Sequence, residues 1–205
     1  MANKTMHALI AAGAAAWAGG AVSADLIYQN ADDRPDISFR TIGFEDVAPG
    51  SAIRTLDFGG NISAIVTTER NISNQVFEQT DGFGAVQAEG DRFWKLAGGR
   101  TTIDFGSTRL GAFEFMYSDL EWTTLELDFG DAGSTTLRDS NSRDPKLYGF
   151  VAPPGQDFSK VTLTWNGKQN DGIGFDSVGV AAIPSPGSIG LLAAGGLIAV
   201  GRRRR

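Results

Sequence analysis

Thiol and imidazole chemistry are almost closed to this chain, and carboxylates, 24 of them against 18 Lys and Arg, are its main charged groups. Its 205 residues include no cysteine and one histidine, His7. Thiolate catalysis, disulfides and Cys-ligated zinc are therefore excluded. His7 falls in a leader-like stretch, and a body without histidine has neither a Ser-His-Asp mechanism nor an imidazole-bound metal. Glu45 and Asp46 stand near the start of the central body, and Asp176 stands near its end. Calcium takes its ligands from carboxylates, carbonyls and water. These three residues are candidate calcium ligands if the first and last strands of the fold lie side by side. The other reading is that they hydrogen-bond turn amides, as Asp often does.

A second acidic set is Glu126-Leu127-Asp128-Phe129-Gly130-Asp131. Residues i and i+2 of a strand share a face. Glu126 and Asp128 are thus geometrically allowed as the carboxyl pair of a glycosidase. Their alternation with Leu125, Leu127 and Phe129 also makes them the wet face of a half-buried strand, and Asp131 falls in a glycine turn. No catalytic residue is assigned. Trp94, Trp122 and Trp165 are either platforms for sugar rings or core. Trp165 follows Val161 and Leu163 in one alternating run, which favours core.

The elements that position these residues are short strands. Glycine, at 27 residues, is about twice its usual share. Period-2 alternation is clear in TTIDFG (101–106), TTLELDFG (123–130) and KVTLTW (160–165). LGAFEFMY (110–117) is apolar on both sides and reads as a central strand covered on both faces, with Glu114 its one charge. Further strands are predicted near Ser38–Glu45, Ile62–Glu69, Arg92–Leu96, Leu147–Val151 and Gly172–Val180. Turn formers such as Gly59-Gly60-Asn61, Pro153-Pro154-Gly155 and Asn166-Gly167 separate them. No segment of the body carries a 3.6-residue apolar stripe. The expected class is all-β, an antiparallel β-sandwich of jelly-roll type with nine or so strands.

The two ends have a different character. Residues 1–24 begin with Lys4, run through an Ala-rich stretch and end in Val22-Ser23-Ala24, the small-x-small site that signal peptidase cleaves. A signal helix with cleavage after Ala24 is expected. Residues 184–205 contain Pro184 and Pro186, an uncharged run from Gly187 to Gly201, and Arg202, Arg203, Arg204 and Arg205. As a helix that run would be about 22 Å long, against a hydrocarbon core of about 30 Å. Snorkelling arginines help close the difference. The arginines favour a cytoplasmic C-terminus for a transmembrane helix, which leaves residues 25–183 as an outward-facing domain. That body carries all 24 acidic residues and 13 basic ones, a net charge of −11. Such a surface repels nucleic acid and is compatible with neutral polysaccharide and with cations.

The tail, from Ile183 to Arg205, resembles the PEP-CTERM sorting signal, with Ser185 at the position where that family usually carries Glu. The resemblance implies export, membrane anchoring, processing by an exosortase-type protease, and display at the cell surface or in the extracellular matrix. It also implies association with exopolysaccharide or biofilm. Two stretches of the body, IGFEDVAPG (42–50) and DGIGFDSVGV (171–180), resemble globular parts of PEP-CTERM proteins that look like carbohydrate-binding jelly rolls. The expected function is a non-catalytic structural or binding role in the cell envelope. A calcium-dependent carbohydrate-binding module is the alternative, and a carboxylate-only glycosidase is a distant third.

Overall fold

The computed structural model describes residues 26–69, 74–80, 85–120, 123–138, 144–167 and 172–182. The expected signal segment with Ala24, Trp122, and the tail with Pro184, Pro186 and Arg202 to Arg205 lie outside the described residues. Among the described residues no helix is long and apolar enough to cross a membrane.

The described chain forms thirteen strands. In order they are β1 (Leu26–Tyr28), β2 (Arg40–Ile42), β3 (Thr55–Asp57), β4 (Ser63–Thr68), β5 (Asn74–Glu78), β6 (Arg92–Leu96) and β7 (Gly99–Asp104). They continue as β8 (Leu110–Ser118), β9 (Thr124–Asp128), β10 (Ser134–Arg138), β11 (Lys146–Val151), β12 (Lys160–Trp165) and β13 (Ile173–Ala182). Single 3-10 turns at Ala31–Asp33 and Gly130–Ala132 are the helical elements among the described residues.

Two antiparallel sheets result, and the protein is an all-β sandwich. Sheet A runs β1-β11-β8-β13-β6-β5, with β2 beside β13; sheet B runs β10-β9-β12-β7-β4-β3. From β6 onward, β6-β13-β8-β11 faces β7-β12-β9-β10, the strand order of a jelly roll. The core fills the space between the inner faces. Phe129, just after β9 of sheet B, stacks on Phe150 of β11 in sheet A at 3.8 Å and 6°. Phe158 meets both rings edge-on. Such pairs add about 0.5–1.5 kcal/mol each beyond area burial. Trp94 packs between Phe44 and Phe175 in the same core.

The predicted strands from Arg92 onward match β6, β7, β8, β9, β11, β12 and β13 to within two residues at either end. β8 is central and covered on both faces, as its sequence implies. The strands not predicted are β1, β3, β5 and β10. β3, β5 and β10 bury one side chain each, Leu56, Val76 and Leu137. One inward residue cannot display a period.

β13 carries the main irregularity. Asp176 pairs Met116 and Gly179 pairs Glu114, so one extra residue is inserted in β13. Ser177 has φ of 46° and is the bulged residue. The bulge changes parity: Ile173 and Phe175 point into the core before it, Val178 and Val180 after it.

Candidate functional site

The outer faces of the two sheets have opposite surroundings. On sheet B the outward residues of β10, β9, β12, β7 and β4 align in rows across the strands. One row is Thr136, Glu126, Thr164 and Arg100; the next is Ser134, Asp128, Thr162, Thr102 and Thr67. Every member is at least partly exposed. The rows follow from the alternation in LELD and KVTLTW, which sends Leu125, Leu127, Val161 and Leu163 inward. Between them lies a groove of about 780 Å³, lined by Arg100, Thr102, Glu126, Asp128, Thr162 and Thr164 among others.

Two ion pairs lie in and beside the groove. Arg100 Nη1 meets Glu69 Oε1 at 3.2 Å, and Lys160 Nζ meets Asp104 Oδ2 at 3.0 Å. The Gly106 amide and the Lys160 ammonium hold the Asp104 carboxyl below its ordinary range. These exposed pairs add little stability, about 0–1 kcal/mol each. The strand register is what sets the hydroxyl, carboxylate and guanidinium groups in lines across the face.

Three strands of this sheet end in the same tripeptide. Asp57-Phe58-Gly59, Asp104-Phe105-Gly106 and Asp128-Phe129-Gly130 each place the aspartate outward, the phenylalanine in the core and the glycine at positive φ. In each, an aspartate Oδ1 accepts the glycine N–H at 2.8–2.9 Å. β3, β7 and β9 run in the same direction, so the three turns lie at one end of the sheet. The repeated Asp-Phe-Gly is the sequence signal for this end of the sheet, and the third copy lines the groove through Asp128 and Gly130. It also settles one oxygen of Asp128 as a turn acceptor. Glu126 and Asp128 share the exposed face as expected, and Asp131 lies in the 3-10 turn beyond.

Trp94 and Trp165 are core. Each spends its indole N–H internally, Trp94 on Asn74 Oδ1 at 2.6 Å and Trp165 on Thr123 Oγ1 at 3.0 Å. Neither is a platform for a sugar ring.

The outer face of sheet A is covered by two remote pieces of chain. Residues 85–91 cross it on one side. Asp176, buried beside the bulge, accepts the N–H of Ala88 at 3.1 Å and of Glu89 at 2.9 Å on Oδ2, and that of Ser177 at 2.8 Å on Oδ1. Ser118 Oγ accepts the Val86 N–H and donates to its carbonyl. Glu45 Oε1 accepts the N–H groups of Asp91 and Arg92, both at 3.0 Å. Arg92 in turn donates to the Glu45 and Val47 carbonyls. Burial raises the Asp176 pKa, against the lowering effect of the three amides.

Glu45, in the turn after β2, and Asp176, at the bulge of β13, thus reach one loop, and each holds backbone amides. Asp46 is exposed beside them. Among the described residues no group of three or more acidic or histidine side chains is placed to hold a metal ion. Both oxygens of Asp176 already accept backbone amides, two on Oδ2 and one on Oδ1.

The N-terminal segment covers the other side. Glu114 of β8 accepts Tyr28 Oη at 2.6 Å and Arg34 Nε at 2.9 Å on Oε2, and Arg34 Nη2 at 2.5 Å on Oε1. Arg34 also lies over the Phe39 ring at 4.8 Å. Burial and the Glu114 carboxylate push the Tyr28 phenol up. Two glycines make room. A Cβ on Gly149 would fall 1.9 Å from Tyr28 Cζ, and one on Gly179 would fall 2.8 Å from Glu114 Cγ. Sequence reading placed Glu114 on a covered strand; its partners at Tyr28 and Arg34 carry no local signal.

No family model and no curated protein matches the chain. Three solved structures align with much of the chain at low identity. TmCBM61, solved in complex with β-1,4-galactotriose, aligns over 69% of this chain and 94% of its own, at 12% identity and a TM-score of 0.45. The catalytic unit of the GH87 α-1,3-glucanase from Streptomyces thermodiastaticus aligns over 73% of this chain and 27% of its own, at 16% identity and a TM-score of 0.36. A rhamnosidase from Klebsiella oxytoca with rhamnose bound aligns over 77% and 33%, at 14% identity and a TM-score of 0.36.

Proposed function

We propose that residues 25–183 form a non-catalytic carbohydrate-binding sandwich whose binding face is the outer face of sheet B. One observation carries this reading: the groove of about 780 Å³ is lined by in-register hydroxyl, carboxylate and guanidinium groups. A sugar presents hydroxyls that both donate and accept, and such rows answer both needs. The body's net charge of −11 favours a neutral glycan over an anionic one. Glu126 and Asp128 serve as hydrogen-bond acceptors in this reading. The test is affinity electrophoresis against β-1,4-galactan, laminarin and hydroxyethyl cellulose. Retardation by at least one of them, lost in Arg100→Ala and Glu126→Ala, supports the reading. Unchanged mobility in all three gels refutes it.

The proposal includes export. Cleavage after Ala24 and a PEP-CTERM-like tail with Pro184, Pro186 and Arg202 to Arg205 would place the body at the cell surface or in the matrix, after signal peptidase and an exosortase-type protease have acted. Edman sequencing of exported material should begin at Asp25. Replacing the four arginines with serine should leave the protein unprocessed or misplaced; wild-type processing of that variant would end the sorting reading.

A further inference from the structure

The polar rows of sheet B do not stop at the groove. Thr102, in the groove lining, pairs Thr67 of β4, and Thr67 lines a second cavity of about 360 Å³ together with Ile65, Arg54, Asn74 and Gln75. A volume of this size is in the range that holds small ligands. Ile65 is 64% exposed and is the one large apolar side chain so exposed among the described residues of sheet B. It stands beside Asp104, whose charge is taken up by Lys160. An isoleucine held in the open on a face of threonines and paired charges offers what the rows lack, an apolar patch for the C–H face of a sugar ring. Asn74 is fixed at the cavity wall, donating to the Ile53 carbonyl at 2.7 Å and accepting from Trp94.

We propose that the cavity at Ile65 is a distal subsite continuous with the groove, so that the face binds an extended neutral glycan chain lying across the strands. The inference rests on the carbohydrate-binding reading above and deepens it. From β10 to β4 the row spans four strand spacings, about 19 Å at about 4.8 Å each. That is the length of a short oligosaccharide, with roughly one sugar over each strand. Hydroxyls of Thr162, Thr102 and Thr67 meet the chain along its edge. Ile65 meets the ring at the end.

The test is isothermal titration calorimetry of the full chain with β-1,4-galacto-oligosaccharides and cello-oligosaccharides, from disaccharide to hexasaccharide. Affinity should rise about tenfold between disaccharide and tetrasaccharide and then level off, a gain worth about 1.4 kcal/mol. Ile65→Ser should remove that gain and leave the disaccharide affinity within about twofold, because the exposed site leaves the fold intact. Ile65→Trp should raise tetrasaccharide affinity. Length-independent affinity, or equal losses for short and long ligands in Ile65→Ser, would overturn the subsite while leaving the groove in place. No binding by either series would overturn the subsite, and together with unchanged mobility in all three gels it would overturn the groove as well.

Discussion

The outer faces of sheets A and B both carry acidic side chains, and those acids have opposite fates. Glu114 and Asp176 on sheet A are buried under chain that arrives from residues 28–39 and 85–91. Glu126 and Asp128 on sheet B are open to solvent. On sheet A each carboxylate is consumed by internal donors and holds a strap of backbone in place. On sheet B the carboxylates are left facing a groove. An acid on the outer side of a strand is thus structural or available according to what covers it.

The sharpest way to break this contrast is to remove one acid from each face. Glu114→Ala strands the Tyr28 hydroxyl and the Arg34 guanidinium beside a buried site. It should cost about 2–3 kcal/mol, the range for hydrogen bonds to a charged group. Glu126→Ala should stay within about 0.5 kcal/mol of wild type. Urea denaturation reads both, and equal losses would erase the distinction between the faces.

Asp176 gives a smaller effect with a pH signature. Asp176→Ala should cost about 2 kcal/mol and speed hydrogen exchange at the Ala88 and Glu89 amides. Its folded-state pKa is raised above the ordinary 3.8 by burial. As pH rises through 3.8 toward the folded value, the unfolded chain has released a proton that the native state still holds, so stability falls across that window and is level above it. Asp176→Asn should lack this fall. Matching pH profiles for the variant and wild type would show that burial does not govern this carboxyl.

Calcium is the mildest probe. Because Asp176 and Glu45 already accept backbone N–H groups, millimolar calcium should move the melting temperature by less than about 2 °C, the shift expected from well under 1 kcal/mol. A larger rise, lost in Asp176→Ala, would make the covered face a metal site after all.

What local pattern records explains how much of this was legible. β9 and β12 announce themselves because two or more apolar residues alternate with polar ones, and that alternation already assigns Glu126, Asp128, Thr162 and Thr164 to one face. The three Asp-Phe-Gly turns are readable in the same way, since the aspartate caps an amide two residues on. The in-register rows are not readable, because they depend on which strand lies beside which. The groove needed β9 beside β12 and β12 beside β7.

By itself, the sequence determined the all-β class, most strands from Arg92 onward and the two-sided burial of β8. It also excluded thiol chemistry, since cysteine is absent. Those properties depend on composition and on neighbours one to four residues apart. The tertiary structure alone decided which outer face is closed. The bonds that close it join Tyr28 to Glu114 across 86 positions, Arg34 to Glu114 across 80, and Ala88 to Asp176 across 88. A period of two reports that a residue points out of the sheet. Whether water or another stretch of the chain meets it there is set by contacts between segments that no local pattern encodes.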